Sequence, residues 1–227
     1  MSAISLLRTL HVAASLLRSV LWVTLSLPEV LLALTGIRPA KTLRVIVIVQ
    51  RDESGLAVAS DEAVATQLAW AGEAFSKAAN VRLLGQVVTE DLASTSLTLD
   101  VRGFGDGAVA DNFGRPGAAF RLKTLGLGPC GAPLRRLTGY GAPVVLFAVR
   151  GFVCGHMNGA SFGVTADHAL VVFGCNPATL AHEVGHSCML LHRGDPGNLM
   201  HPSWPRGASL TRWQAAVLRA SRHVTYL

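Results

Sequence analysis

Residues 182–192 read HEVGHSCMLLH, and this run constrains the fold more than any other part of the chain. An α-helix turns about 100° per residue, so His182 and His186 lie one above the other on the same face. Both imidazoles can then reach a single metal ion. Glu183 follows the first histidine on a neighbouring part of the helix surface, from which a carboxylate reaches a metal-held water without binding the metal itself. His192 lies ten residues past His182 and would stand roughly 80° off the ligand face of a straight helix. For His192 to be a third ligand, the helix must end or bend before it. The plain alternative is a chance HExxH on a core helix; the third histidine at this spacing is what argues against it.

The run continues His192, Arg193, Gly194, Asp195, Pro196, Gly197, Asn198, Leu199, Met200, His201, Pro202. Over residues 178–204 the chain resembles the metzincin clan of zinc endopeptidases, whose signature is HExxHxxGxxH followed by a methionine in a tight turn. The resemblance implies an α+β fold of the zincin type, with a mixed twisted sheet, an active-site helix, a Met-turn and a C-terminal helix. It implies Zn2+ as cofactor, held by His182, His186 and His192, with Glu183 as general acid and base. Met200 then forms an apolar floor beneath the metal; its other reading is an ordinary core methionine, since methionine fills gaps in cores. The distance from the third histidine to Met200 is similar to that in the matrixin branch. Arg193, however, stands where matrixins usually have serine, so the resemblance is to the clan and not to one branch.

One position departs from the signature. The clan's helix-ending glycine is Met189 here, and a methionine in a left-handed conformation costs about 1–2 kcal/mol. Either Met189 accepts that conformation, or the helix ends one or two residues later and Gly194 supplies the turn. His11, His156, His168, His201 and His223 are read as surface or core residues. His201 directly follows Met200, which leaves a place near substrate open to it.

The four cysteines, Cys130, Cys154, Cys175 and Cys188, are compatible with two disulfides in an exported protein, with three connectivities possible. Cys154 with Cys175 is the favoured pair, because Cys188 lies too far along the active-site helix to reach Cys175. Cys130, in the sequence GPCGAP, faintly resembles the cysteine with which matrixin propeptides block zinc, but it is read as a loop residue inside the domain.

The apolar N-terminal segment is the second informative region. Leu16 to Ile37 is strongly apolar, broken by Arg18, Pro28 and Glu29. Three alternatives stay open for it: an export signal or signal-anchor, a membrane-surface helix spanning part of residues 10–37, or a helix packed on the domain. A span of about 20 residues would have to include Pro28 and Glu29. Arg38-Pro39-Ala40 is a weak cleavage site, and Arg38, Lys41, Arg44 and Arg51 speak against export by the positive-inside tendency. The expected organisation is residues 1–40 as this segment and residues 41–227 as one catalytic domain, secreted or anchored outside the cell. A length of 227 residues with 50% hydrophobic composition is sufficient for one such core. The net charge of +6 comes from scattered arginines without interleaved aromatics, so no nucleic-acid partner is expected.

Local pattern supplies the remaining elements. Leu43–Val49 reads as a buried strand, Asp61–Ala79 as a helix capped by Ser60 with Val64, Leu68, Ala71 and Phe75 inward. Val81–Val88, Ser96–Val101, Val144–Val149 and Ala169–Phe173 read as strands. Gly103–Gly141 reads as long loops with a short ordered piece near Phe120–Leu125. Pro177 opens the active-site helix, and Ser209–Arg222 reads as a final helix with Leu210, Trp213, Val217 and Leu218 inward. By position within the resembled fold, the substrate-pairing edge falls near Val164–Phe173, with Gly155–Gly163 as the cleft rim. Three functions fit: a zinc endopeptidase acting on protein or peptide substrates, a zinc-bearing binding protein without turnover, or a zinc hydrolase of a non-peptide amide.

Overall fold

The β-branched run KTLRVIVIVQR forms the central strand, β1 (Lys41–Arg51), whose middle is buried on both faces. Such a run suits a strand covered on both sides and flanked by parallel neighbours. The computed structural model describes residues 13, 16–52, 54–91, 98–99, 139–153, 157–161 and 166–226. Within them, β1 pairs in parallel with β2 (Val81–Asp91) on one side and β4 (Val144–Val149) on the other. Strand β4 pairs in parallel with β7 (His168–Val172), and β6 (Gly159–Ser161) closes the order antiparallel to β7. The sheet order is β2-β1-β4-β7-β6, with β8 (Val224–Thr225) pairing antiparallel to the start of β1. Two short strands, β3 (Thr98–Leu99) and β5 (Gly151–Phe152), pair separately.

Alternation along β1 splits the core. Val45, Val47 and Val49 join a cluster that includes Phe75, Leu180, Val184, Met200 and Leu218, whereas Ile46 and Ile48 pack with Phe147 and Phe152 on the opposite face. The first face carries the helices. Helix α3 (Asp61–Ala79) connects β1 to β2 and has the bounds and the Ser60 cap that the sequence predicts; Ser60 accepts a hydrogen bond from Ala63 N. Its C-terminus closes through Asn80 at φ 53°, a residue that tolerates the left-handed region. Helix α4 (Ala178–Ser187) carries the histidine motif, and helix α5 (Arg212–Ala220) ends the layer.

Two expectations need correction. Among the described residues the outermost strand is β6, inside the expected rim segment, and β7 lies one place inward. Strand β7 carries the buried run Ala169, Leu170 and Val171 and pairs on both sides, which an edge does not do. The final helix is shorter than Ser209–Arg222 because Thr211 caps it. The Thr211 hydroxyl accepts from Gln214 N, and Gln214 returns the bond to the Thr211 backbone. That start turns Trp213 outward, 61% exposed, and buries Gln214, Ala215, Leu218 and Arg219 instead.

The N-terminal apolar segment forms two helical pieces, α1 (Leu16–Leu25) and α2 (Leu27–Leu34), bent by 61° where Pro28 starts the second. Val30 and Ala33 of α2 pack against the small side chains Ala216 and Ala220 of α5. Glu29 points into this contact and bridges Lys41 at 2.5 Å and Arg219 at 2.9 Å. Arg219 is fully buried and also donates to Ala79 O. Among the described residues, no single helix is long and apolar enough to cross a membrane; α1 and α2 together have that length and composition. Strand Ser96–Val101 is described only at Thr98–Leu99. Most of Gly103–Gly141, with Cys130, lies outside the described residues, as do Cys154 and His11.

Candidate metal centre

Helix α4 starts where Asn176 satisfies its first free amides: the Asn176 side chain accepts from Ala178 N at 2.9 Å and its carbonyl from Thr179 N. Pro177 stands at the junction, where the missing N–H is no loss. The helix is buried nearly all round, and only His186 among its residues is partly exposed. Such enclosure desolvates both His182 and Glu183, which are 4% and 5% exposed.

The helix stops after Ser187 in a Schellman turn. Leu190 N donates to Gly185 O at 3.0 Å and Met189 N to His186 O at 2.9 Å, while Met189 holds φ at +69°. Leu190 is buried and packs over Gly185, the apolar contact that accompanies such a turn. Of the two alternatives for this position, Met189 therefore takes the left-handed conformation itself. Gly194 is not needed for the reversal.

This reversal brings His192 back to the helix. The Nε2 atoms of His182 and His186 are 3.1 Å apart, those of His186 and His192 3.1 Å, and those of His192 and His182 3.3 Å. A tetrahedral zinc ion with bonds of about 2.05 Å holds its ligand nitrogens about 3.3 Å apart, so the three atoms fit one ion. The Nδ1 atoms support the same conclusion. His182 Nδ1 lies 2.9 Å from Leu199 O and His186 Nδ1 2.8 Å from Leu190 O. A carbonyl only accepts, so each Nδ1 carries the proton and each Nε2 presents a lone pair. Lone pairs that converge at this distance repel unless a cation lies among them. Burial, the largest cause in each case, lowers the pKa of all three rings, that of His182 to about 3. Neutral imidazole is the metal-binding form.

Glu183 lies beside the triad against the outermost strand. A Cβ on Gly159 of β6 would come within 2.6 Å of Glu183 Oε1 and 2.8 Å of its Cγ, so only glycine lets the strand approach so closely. Burial pushes the Glu183 carboxyl up to about 8, opposed by the positive charge of Arg206. A carboxyl raised in this way is suited to accept and return a proton near neutral pH. Met200 is fully buried under the helix, and its Sδ would meet a Cβ on Gly185 at 2.6 Å. Arg193 N donates to Met200 O at 3.0 Å, tying the residue after His192 to the turn. His201 bonds Ser203 O through Nδ1 and does not join the triad.

The structure brings together the five residues singled out in the sequence, His182, Glu183, His186, His192 and Met200. The sequence did not reveal the parts supplied by distant segments. Asn198 and Gln214 exchange two amide hydrogen bonds, at 2.8 and 3.2 Å, and Asn198 Oδ1 also accepts from Met200 N. This buried pair locks the turn to α5, and the T-x-x-Q of Thr211–Gln214 was the only local trace of it. The favoured Cys154–Cys175 bridge involves Cys154, which lies outside the described residues. Cys175 carries a free exposed thiol whose Sγ lies 3.0 Å from Val172 O, so that carbonyl satisfies it within the turn. Cys188 is a free, buried core thiol pushed up to about 12 by desolvation.

Fold and site thus define a mixed α/β protein with a three-histidine centre able to hold one metal ion. No protein-family model and no curated protein matches the chain. Among solved structures it is similar to metalloproteinase-II from Bacteroides fragilis, at 14% identity and a TM-score of 0.44, over 77% of this chain and 50% of that one. A chaperone-substrate complex shares 14% identity at a TM-score of 0.42, over 81% of this chain and 34% of that one. A zinc-dependent peptidase from Methanocorpusculum labreanum (strain Z) shares 15% identity at 0.41, over 79% of this chain and 94% of that one. The chain spans only half of the first of these proteins and about a third of the second.

Proposed function

We propose that the chain is a zinc-dependent endopeptidase of the metzincin type, with Met200 in the role of the Met-turn methionine. The observation that carries this reading is the convergence of three neutral imidazole nitrogens at 3.1, 3.1 and 3.3 Å beside a buried carboxylate. His182, His186 and His192 hold the metal, two of them oriented by carbonyls on Nδ1. When bound, zinc supplies Lewis-acid activation of water and of the scissile carbonyl. Glu183 takes the proton from the attacking water and returns it to the departing amine. The peptide runs along β6, where Gly159 gives the backbone close access to Glu183. The apolar outer side of α1 and α2, with Leu17, Leu25 and Leu31 exposed, supports attachment to a membrane surface.

Substitution Glu183→Gln tests the reading. The zinc content should stay at the wild-type level while peptide cleavage falls by roughly 10²–10⁴-fold. Cleavage at the wild-type rate would remove Glu183 from the mechanism. A zinc-loaded wild-type chain that cleaves nothing in a random peptide library would instead favour a binding protein or a hydrolase of non-peptide amides.

A further inference from the structure

The helical segment ahead of β1 carries its polarity inside out. Between residues 16 and 37 the charged side chains are Arg18 and Glu29, and both are turned toward the domain. Arg18 Nε is shielded from solvent, and Glu29 bridges Lys41 and Arg219. On the opposite side Leu17, Val20, Leu21 and Leu25 of α1 and Leu27 and Leu31 of α2 recur at helical spacing and stand 48% to 70% exposed. A helix that covers a water-facing domain shows the reverse arrangement, with apolar residues inward and charges outward.

The polar side chains on this outer face make no demand on a partner. Thr24 Oγ1 donates to Val20 O at 2.9 Å and Thr35 Oγ1 to Leu32 O at 2.7 Å, so each hydroxyl turns back onto its own helix. That is the condition a polar group must meet in hydrocarbon. Protein interfaces carry about one hydrogen bond per 100–200 Å², and an outer face without charge and with its hydroxyls already satisfied offers little toward them. The face therefore fits acyl chains better than it fits a second protein.

The inner face shows how the segment sits. Together α1 and α2 have the length and hydropathy of a membrane span, but they are bent by 61°. Trp22 of α1 stacks on Tyr140 with 4.3 Å between ring centroids, and Val30 and Ala33 of α2 pack on Ala216 and Ala220 of α5. Straightening the pair across a bilayer would draw Glu29 into hydrocarbon and strand the fully buried Arg219 without its carboxylate. We propose that α1 and α2 lie flat in one leaflet of a lipid bilayer, leucine face among the acyl chains and inner face on the domain. The chain is then held at the membrane surface without crossing it. This rests on the attachment reading above and is independent of the peptidase chemistry.

The test mixes the purified full chain with preformed phosphatidylcholine vesicles and follows co-flotation. Wild type should bind, and binding should persist in molar salt, because apolar insertion drives it rather than headgroup charge. Leu17→Gln and Leu31→Gln should each lower the partition coefficient by about tenfold, the scale of one leucine withdrawn from hydrocarbon, without lowering the urea midpoint. Depth is read with Leu17→Trp, Leu25→Trp and Leu31→Trp in vesicles of lipid brominated either close to the headgroups or close to the chain ends. The added indole should be quenched more by the shallow bromines in all three variants. Strongest quenching of Leu25→Trp by the deep bromines would show a crossing segment, overturning the flat placement while attachment stands. No binding to vesicles, with or without self-association that Leu31→Gln disperses, overturns attachment and placement together. Binding that needs anionic lipid and is lost in salt does the same.

Discussion

Met189 carries a left-handed backbone, φ +69°, at the position that ends the histidine-bearing helix α4. The two bonds of its Schellman turn and the packing of Leu190 over Gly185 hold it there against a cost of about 1–2 kcal/mol for a side chain in that region. Met189→Gly removes that cost, and the protein should gain about 1 kcal/mol after the greater freedom of the unfolded glycine is counted. A higher urea midpoint at an unchanged slope is the expected reading. A lower midpoint would mean that packing of the methionine side chain outweighs the strain. At this scale the sequence was most legible: helical period alone places His182, Glu183 and His186, and the spacing of His192 requires the helix to stop. The period could not say which residue would accept the reversal. It could not reveal Gly159 either, because only the β6–β7 pairing carries that glycine to Glu183.

The elements around the centre depend on one buried amide pair. Asn198 in the turn and Gln214 in the first turn of α5 bond each other twice, and Gln214 Oε1 also caps Thr211 N. Gln214→Leu leaves the Asn198 amide buried without its partner and should cost about 2 kcal/mol. Asn198→Leu should cost a similar amount, whereas the double substitution should cost clearly less than the sum, since neither amide is then left alone. Additive losses would show that the two side chains are not coupled. Here legibility was partial. The Ser60 cap and the strand Val144–Val149 were readable because local pattern decides them. The order β7-β6 at the edge and the outward turn of Trp213 were not, since pairing and capping, rather than hydrophobic periodicity, decide both.

Across the whole molecule, the N-terminal segment and the C-terminal helix meet through Glu29, Lys41 and Arg219. In the sequence Glu29 only interrupts an apolar run; its partner Arg219 is 190 residues away, and such a pairing leaves no local pattern. Glu29→Gln strands two buried cations and should lower stability by about 3 kcal/mol in chemical denaturation. An unchanged midpoint would mean that α2 is not integral to the fold. The same long-range closure holds the metal site, because the turn that supplies Met200 and the carbonyl of Leu199 is anchored on α5. The central claim is that His182, His186 and His192 together hold one zinc ion. Metal analysis of the purified full chain with X-ray absorption at the zinc edge tests it most directly. The expected result is one zinc per chain with three imidazole nitrogens at about 2.0–2.1 Å, falling to two in His192→Ala with weaker retention of the metal. Absence of stoichiometric zinc, or a coordination unchanged by His192→Ala, would contradict the account.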